Sequence, residues 1–565
     1  MKKSLKGFLA LAIGASFALS ACAGSAGDAG GAGGAGKAKT TSAVGWNFNE
    51  TPYDKVKDGG TITTGITEIT ENANPFNGDG NTTYGVDLWY WYNPQLALFD
   101  GDGTWHFNPD YFDDVTAKEV DGNTVVTYKV KEEAKFNDGT PIDVKAFQTT
   151  WRCNNGENKD YYVAGTDGYQ NIKSVEPGAS DKEVVVTFDG VWAWWQGLFN
   201  MVLHPAVDSP KVFNEGFLRK THPEWGAGPY KIESYDFQKG EAVFVPNELW
   251  WGPKGKLDKR IFRQMEDQAA LNAFKNGEID VIGVGNEEFL TAVKEMKDDS
   301  IEIRKGSRPA NYLLELNSAN ENLKDVKVRQ AVFEGIDRAT VAAVRFAGLN
   351  FKEDAPGSFL LFASQPGYAD NFSKAVKYDP KGAKALLKEA GWEDTNKDGI
   401  VEKDGKDLEL QYTLVGEAKT SKDIATTIQS QLKAIGIKVN IKERPSAEFS
   451  NVIVERDFDL FFFGLNSSDP FGVAYTSQVY GSDSSLNLSG TGTPELDAKI
   501  ADLAKIADAN EQIKAANDVE VEAFKTYGIM PVFNGPDWWA IKKNIANMGS
   551  MNFAKPAIES IGLVK

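Results

Sequence analysis

Side chains for acid–base, metal or nucleophilic chemistry are few in this 565-residue chain, apart from carboxylates. The three histidines are His106, His204 and His222, and the two cysteines are Cys22 and Cys153. None of them has the H-E-x-x-H or Cys/His spacing that binds zinc, and no G-x-S-x-G nucleophile elbow is present. The chain has 80 Asp and Glu residues, but no spacing singles out a catalytic pair. We therefore expect no catalytic residues, no metal and no cofactor.

The sequence around Cys22 indicates a covalent modification. A short basic start and an uncharged run over residues 7–21 precede it, and the run ends in Leu-Ser-Ala. This layout is typical of a secretory signal, and the Cys at its end resembles the lipoprotein box, where the thiol takes a diacylglycerol. We expect residues 1–21 to be a signal peptide and residues 22–55 a lipidated, flexible tether rich in Gly and Ala. An ordinary secretory signal that contains a Cys is the alternative.

One segment resembles a metal-binding loop. Residues 394–399 (DTNKDG) place oxygen ligands at alternate positions before a glycine, as calcium loops do. The twelfth position is Gly405, where a bidentate Glu is required. A polar turn between Asp394 and Asp398 that leads into a strand explains the same residues. Calcium at this position stays open.

Composition and charge restrict the class of protein. The formal net charge is −19 and the sequence contains no basic stripe. These two observations exclude nucleic-acid binding. Hydrophobic residues make up 41% of the chain, enough for the cores of two to four domains. Beyond the signal, no apolar run approaches the roughly 20 residues that span a bilayer. We expect attachment to the extracytoplasmic face of the cell membrane through lipid only, with Cys153 unpaired.

Short strand patterns alternate with amphipathic helix patterns from residue 60 onward. The predicted strands are 61–66, 124–130, 183–188, 408–415, 437–441 and 458–463. The predicted helices are 144–151, a pair over 325–346, 381–390, 423–435 and 494–509. This order predicts an α/β protein with mixed sheets in more than one lobe.

Six short motifs follow one another in a fixed order. They are residues 136–144 (FNDGTPIDV), 226–230 (GAGPY), 328–338 (VRQAVFEGIDR), 379–392 (DPKGAKALLKEAGW), 432–437 (LKAIGI) and 457–460 (DFDL). The ordered set resembles the family 5 extracellular solute-binding proteins, the dipeptide and oligopeptide receptors of ABC importers. The matches cover nearly all of the chain from about residue 56.

The resemblance implies an α/β, bilobal periplasmic-binding-protein-like fold with mixed sheets, an extra inserted subdomain and a two-segment hinge. Lobe I would comprise residues 56–85, 196–305 and 530–565. The inserted subdomain would be 86–195, and lobe II would be 306–529. A ligand would then lie in the cleft between lobes I and II, which closes around the hinge.

The resemblance also implies the function: a solute-binding lipoprotein, not an enzyme, that captures peptides and delivers them as a monomer to the permease subunits of an ABC transporter. The family's peptide receptors often use an Asp after the F-D-L strand to pair with the ligand's ammonium. Asp469 is the carboxylate in that segment, and its place beside Pro470 makes Ser467 the alternative. The remaining binding candidates, chosen by position, are Asn466, Asn317, Glu68, Trp89 and Tyr90.

Three other readings stay open. The same fold could bind an oligosaccharide or another non-peptide solute, although nickel fits poorly because histidine is scarce. An exported hydrolase and a structural surface lipoprotein are the remaining alternatives, and assays of turnover and of ligand-linked stability separate them.

Overall fold

The computed structural model describes residues 45–166, 168–416, 419–445, 448–467, 469–484 and 486–565. The predicted signal peptide, Cys22 and most of the predicted tether lie outside the described residues. No helix of the described part is long and apolar enough to cross a membrane.

Strands and helices alternate along the described chain. In order, the strands are β1 (Val56–Lys57), β2 (Thr61–Ile66), β3 (Ala97–Phe99), β4 (Trp105–Phe107), β5 (Phe112–Val120), β6 (Asn123–Val130), β7 (Ile172–Pro177), β8 (Glu183–Phe188), β9 (Tyr230–Asp236), β10 (Glu241–Pro246), β11 (Lys259–Gln264), β12 (Val281–Gly283), β13 (Ile301–Ser307), β14 (Ala310–Leu316), β15 (Glu402–Lys403), β16 (Lys406–Asp407), β17 (Glu409–Val415), β18 (Lys438–Arg444), β19 (Leu460–Asn466), β20 (Ile529–Phe533), β21 (Pro536–Lys542), β22 (Ile545–Ala546) and β23 (Gly562–Val564). The helices are α1 (Thr83–Trp89), α2 (Val144–Asn154), α3 (Pro210–Glu215), α4 (Asp267–Lys275), α5 (Glu287–Glu295), α6 (Val326–Glu334), α7 (Arg338–Arg345), α8 (Phe372–Ala375), α9 (Pro380–Glu389), α10 (Lys419–Ala434), α11 (Phe449–Glu455), α12 (Thr476–Tyr480), α13 (Pro494–Leu503) and α14 (Ala509–Phe524).

Three sheets organise these elements. The largest is seven-stranded, in the order β13-β21-β12-β2-β11-β10-β9, and a five-stranded sheet has the order β18-β17-β19-β14-β20. Both are mixed, because β2 is parallel to β11 and β12, and β17 is parallel to β18 and β19, while the other neighbours are antiparallel. A four-stranded antiparallel sheet, β5-β6-β8-β7, packs its own core with α2. The predicted α/β, bilobal fold is confirmed.

Local sequence explains where the helices begin. Asp143 accepts a hydrogen bond from the backbone N–H of Lys145 at 2.9 Å and thereby caps α2. Asp379 caps α9, which has Pro380 in its first turn. Gly391, just past α9, has a φ of +88°, which only glycine adopts at little cost.

The predicted helix over 494–509 is wrong in its extent. The structure ends α13 at Leu503 and starts α14 at Ala509. Asp508 lies between them and accepts a hydrogen bond from the backbone N–H of Glu511 at 2.9 Å. An N-cap of this kind starts a new helix. The apolar periodicity of the sequence runs through both helices, so it does not reveal the break between them.

Two short connections join the seven-stranded and five-stranded sheets. Residues 308–309 link β13 to β14, and residues 534–535 link β20 to β21. The connections touch, because the backbone N–H of Arg308 donates to the carbonyl oxygen of Gly535 at 3.3 Å. We call them the two crossings. The residue ranges assigned to the lobes stay a prediction; the two sheets and the crossings are what position the site.

Candidate functional site

A cavity of about 230 Å³ lies between the two large sheets, beside the crossings. One wall belongs to the seven-stranded sheet and its helices and includes Ile66, Thr67, Tyr84, Asp267, Gly283, Asn286, Asp537, Trp538 and Trp539. The other wall belongs to the five-stranded sheet and its helices and includes Arg308, Tyr312, Arg345, Thr420, Ser421, Phe462 and Phe533. We call this space the interlobe cavity.

The interlobe cavity lies where parallel strands end. The carboxyl end of β2 contributes Ile66, Met265 follows β11, and Gly283 ends β12. These three strands are parallel neighbours, so their carboxyl ends meet at one edge of the sheet. Ligands of open α/β sheets bind in the crevice outside such ends. The topology therefore favours this cavity as a binding site.

Aromatic rings form much of both walls. Tyr312 and Phe533 stack with ring centroids 4.8 Å apart, and Phe462 lies 5.6 Å from Phe533. Trp538 and Trp539 line the opposite wall. Flat, rigid rings offer contact area at low cost in conformational entropy, which suits an organic solute.

Two arginines and two carboxylates line the same cavity. Burial lowers the pKa of the Arg345 guanidinium, and the nearby charge of Arg308 lowers it further against the opposing effect of Tyr312. Burial raises the pKa of Asp537 against the effect of Arg308, and burial with the charge of Glu266 raises the pKa of Asp267. Both guanidinium groups stay charged at neutral pH, because the usual pKa of arginine exceeds 12.

One hydrogen bond joins the two walls of the cavity, and others fix the second crossing. A guanidinium nitrogen of Arg345, Nη1, donates to the carbonyl oxygen of Gly285 at 3.2 Å. The Glu353 carboxylate accepts hydrogen bonds from the backbone N–H groups of Asn534 at 2.7 Å and of Gly535 at 3.0 Å. Burial raises the pKa of Glu353 to about 7. A hinge motion that separates the walls would have to break the bond between Arg345 and Gly285.

Three of the predicted binding residues share the turn after β19. The Asp469 carboxylate accepts from the Tyr475 hydroxyl at 2.6 Å and from the Phe471 backbone N–H at 2.8 Å. The Ser467 hydroxyl donates to the carbonyl oxygen of Asp469 at 2.6 Å. Asn466 is exposed at the end of β19. The turn lies where the inserted segments meet the five-stranded side, since the Phe471 ring is 6.1 Å from that of Phe99.

The other predicted binding residues lie apart from that turn. Asn317 is buried beyond the far end of β14, and its amide donates to the carbonyl oxygens of Arg456 and Phe458 at 3.2 and 3.0 Å. Trp89 is buried within the core of the seven-stranded side. Tyr90 has the ammonium of Lys555 5.5 Å from its ring, and Glu68 accepts from the Thr70 hydroxyl at 3.1 Å. None of the seven predicted residues is among the described lining residues of the interlobe cavity, and their binding roles stay a prediction.

Sequence reasoning missed Arg308 and Arg345. Arg308 lies in the first crossing, close to the predicted start of lobe II at residue 306, so that boundary could have pointed to it. Arg345 lies at the end of a predicted helix pair with no local motif around it. Only the tertiary fold brings the two side chains to one cavity.

A second, larger hollow of about 960 Å³ lies outside the two-sheet interface. Its lining includes Trp46, Trp105, His106 and Lys555, from the N-terminal segment, the β3–β4 hairpin and the C-terminal region. Because no residue of the five-stranded sheet lines it, hinge motion would not enclose a ligand there. The interlobe cavity remains the candidate site.

No group of three or more His, Cys, Asp or Glu side chains that could hold a metal occurs among the described residues. In the loop at residues 394–399, Asp394 accepts from the backbone N–H of Gly399 at 3.1 Å, and Asp398 accepts from that of Ile400 at 2.8 Å. These internal bonds are those of a polar turn.

Comparison with known proteins gives consistent matches. The sequence profile of the bacterial extracellular solute-binding proteins, family 5 middle region, matches residues 106–487. The oligopeptide-binding protein OppA of Mycobacterium tuberculosis (strain ATCC 25618 / H37Rv) is 30% identical over 525 residues, which cover 92% of this chain and 87% of OppA. The oligopeptide-binding protein AppA of Bacillus subtilis (strain 168) is 26% identical over 476 residues, covering 75% of this chain and 82% of AppA.

A solved structure shows the same fold at lower identity. The periplasmic EDTA-binding protein EppA superposes with a TM-score of 0.83 at 23% identity, covering 92% of this chain and 98% of EppA.

Proposed function

Because the chain belongs to the family 5 bacterial extracellular solute-binding proteins, we propose that it captures short peptides outside the cytoplasm and delivers them to the permease of an ABC importer. The family consists of substrate-binding proteins of transporters, not of enzymes. The observation that carries the proposal is the interlobe cavity, which lies beside two crossings and is walled by both large sheets.

The hinge gives the proposed mechanism. Two short crossings let the sheets rotate relative to each other, and a ligand that contacts both walls favours the closed arrangement by its differential affinity. The permease then recognises the closed form. The protein would act as a monomer, tethered by a lipid on Cys22 to the extracytoplasmic face of the membrane.

Peptide is the proposed cargo for two reasons. The relatives OppA and AppA are named as oligopeptide-binding proteins. The aromatic walls are accompanied by the hydroxyl groups of Thr67, Thr420 and Ser421, which, with bridging water, can satisfy peptide groups of varied sequence. Asp469, with Asn466 and Ser467 on its turn, lies outside the described lining of the cavity but beside the first crossing, where the Ser467 backbone N–H donates to the carbonyl oxygen of Pro309. Its proposed contact with the peptide's amino group therefore needs a peptide that extends beyond the cavity to that turn.

The size of the cavity favours a short peptide. Its volume of about 230 Å³ lies just below the roughly 300–1,000 Å³ of typical small-molecule sites. We expect two or three residues to fit without rearrangement of the walls.

Mass spectrometry of the solute released from the purified protein tests this proposal. A second test measures the thermal shift that each peptide in a series of two to nine residues produces. Short peptides should be released and should raise the melting temperature, with no turnover. Release of an oligosaccharide, with no change in melting temperature on adding any peptide, would favour the oligosaccharide as cargo. The rings of Trp538 and Trp539 could stack against such a sugar. Cleavage of peptides or glycosides would instead indicate a hydrolase.

A further inference from the structure

We propose that Glu353 is a proton-sensitive pin on the hinge: its carboxyl group holds the second crossing while the interlobe cavity is closed, and loss of its proton favours opening. This inference rests on the hinged solute-binding function proposed above and adds a means of regulating it. It concerns the opening itself, so it does not depend on which solute the cavity takes.

Glu353 reaches the second crossing from the segment that connects α7 to α8, residues 346–371, where α7 packs against β20 of the five-stranded sheet. Its Oε1 accepts hydrogen bonds from the backbone N–H groups of Asn534 at 2.7 Å and of Gly535 at 3.0 Å. Its Oε2 accepts from Gly535 at the longer distance of 3.2 Å. Asn534 and Gly535 are the two residues of the crossing, so one carboxyl oxygen holds both of its N–H groups.

The second crossing is also bound to the start of β14 and to the first crossing. The Asn534 amide donates to the carbonyl oxygen of Ala310 at 2.6 Å, and the carbonyl oxygen of Gly535 accepts from the backbone N–H of Arg308 at 3.3 Å. A hinge rotation changes the backbone torsions of the crossing and turns its N–H groups. Such a rotation therefore has to break the bonds to Glu353.

The surroundings of Glu353 favour a bound proton. Burial raises the pKa of Glu353 to about 7, against the backbone hydrogen bonds and the positive charge of Arg345, and the negative charge of Asp354 adds to the rise. Arg345 lies on α7, and Arg308 in the first crossing lowers its pKa in turn. A glutamate in an unfolded chain has a pKa of about 4.3. The closed arrangement therefore holds a proton that a solvated carboxyl group would release.

The direction of the coupling follows from the two forms of the carboxyl group. The protonated acid keeps a carbonyl oxygen, which can accept both of the shorter bonds. The ionised form places a charge where hydration is poor, and the charge regains water when Glu353 leaves the crossing. By linkage, each pH unit above 7 favours the arrangement with a solvated Glu353 by up to about tenfold. Solute would then be held more firmly in acid than in alkaline surroundings.

Hydrogen exchange of the full, solute-free protein, followed by mass spectrometry at pH 6, 7, 8 and 9, tests the pin. The protection of the Asn534 and Gly535 amides, corrected for the intrinsic pH dependence of exchange, reports how often their bonds to Glu353 open. In the wild-type protein this protection should fall by up to about tenfold per pH unit above 7. Small-angle X-ray scattering over the same range should show an increasing radius of gyration.

Glu353→Gln keeps an acceptor oxygen without the charge, so its protection and its radius of gyration should not change with pH. Asp354→Asn leaves the Glu353 carboxyl group in place but removes a charge that raises its pKa. The fall in protection should then begin at a lower pH, which a purely structural Glu353 would not cause. This second variant also keeps the test decisive if Glu353→Gln does not fold. Glu495→Gln, on the exposed face of α13, is the matched control and should keep the wild-type profile.

Equal pH profiles for the wild-type protein and Glu353→Gln would overturn the pin and leave solute capture intact. Loss of protection without an increase in the radius of gyration would also overturn it, because the bonds would then open without the hinge. Loss of protection together with expansion, in the wild type and not in Glu353→Gln, would support it. If no peptide raises the melting temperature of a protein that behaves in this way, the peptide cargo is rejected and the pin is retained.

Discussion

The guanidinium of Arg345, at the end of α7, donates a 3.2 Å hydrogen bond to the carbonyl oxygen of Gly285, just before α5. The two residues lie on opposite walls of the interlobe cavity. Their bond therefore exists only while the walls are close, and it stabilises the closed arrangement before any solute arrives. A solute that enters the cavity would meet walls that are already partly organised.

Arg345→Ala should open the ligand-free protein. A net hydrogen bond contributes about 0.5–1.5 kcal/mol, so its loss shifts the ratio of closed to open molecules by roughly twofold to tenfold. Small-angle X-ray scattering without ligand should show a larger radius of gyration. Arg263→Ala, which removes a guanidinium paired with Glu241 on β10, should not change it. Identical scattering by Arg345→Ala and wild type would contradict a role of Arg345 in closure.

Gly535→Ala should destabilise the second crossing. Gly535 has a φ of +91°, and an added Cβ would meet no atom closer than 4.0 Å, so the cost is one of backbone conformation alone. A non-glycine residue with a left-handed backbone conformation lowers the free energy of unfolding by about 1–2 kcal/mol. Urea unfolding should show this loss. Gly283→Ala also has its nearest atom at 4.0 Å but lacks a positive φ, and it should leave stability nearly unchanged.

Asp469→Ala tests the predicted anchor for the peptide amine. A carboxylate can pair with an ammonium in a charge-assisted hydrogen bond, and that of Asp469 also accepts from the Tyr475 hydroxyl and the Phe471 backbone N–H. We expect an amine-bearing peptide to bind more than 1 kcal/mol more weakly to the variant. Its N-acetylated counterpart should bind both proteins alike. Unchanged affinity with lowered stability would restrict Asp469 to shaping its turn.

The free energy of unfolding should fall as the pH rises from about 5 to 8, because buried carboxyl groups such as that of Glu315 have raised pKa values. Burial raises the pKa of Glu315 to about 8, against the hydrogen bond from the backbone N–H of Ser489. The folded protein keeps this proton where the unfolded chain, with a pKa near 4.3, has lost it. The free energy of unfolding then decreases by about 1.4 kcal/mol per pH unit for each such proton.

Glu315→Gln should flatten that slope, because the amide stays neutral and can still accept the backbone hydrogen bond. Urea unfolding at pH 5, 6.5 and 8 measures the slope. Glu495→Gln, on the exposed face of α13, should keep the wild-type slope. Parallel slopes for Glu315→Gln and wild type would show that Glu315 is ionised in the folded protein.

Local patterns in the sequence predicted much of the fold. The strands 61–66 and 183–188 agree with β2 and β8 to the residue, because alternation and turn residues mark both ends. The helix pair over 325–346 also divides as expected, since Asp337 caps α7. By contrast, Asp508 has the same capping role before α14, but a continuous apolar pattern concealed it.

The candidate site was less accessible to such reasoning. Position in a motif suggested Asp469, but nothing in the sequence around residue 345 indicates that its side chain lines the same cavity as that of residue 308. Their convergence depends on how α7 packs against β20, which is a property of the folded chain. Likewise, Asn317 was chosen because it follows a strand. The sequence does not show that its amide donates hydrogen bonds to the carbonyl oxygens of Arg456 and Phe458.

The strand β21, residues 536–542, is an interior strand of the seven-stranded sheet and lies between β13 and β12, both of which come much earlier in the chain. The seven-stranded sheet therefore lacks one of its interior strands until residues 536–542 have been synthesised. Long-range pairing of this kind folds slowly.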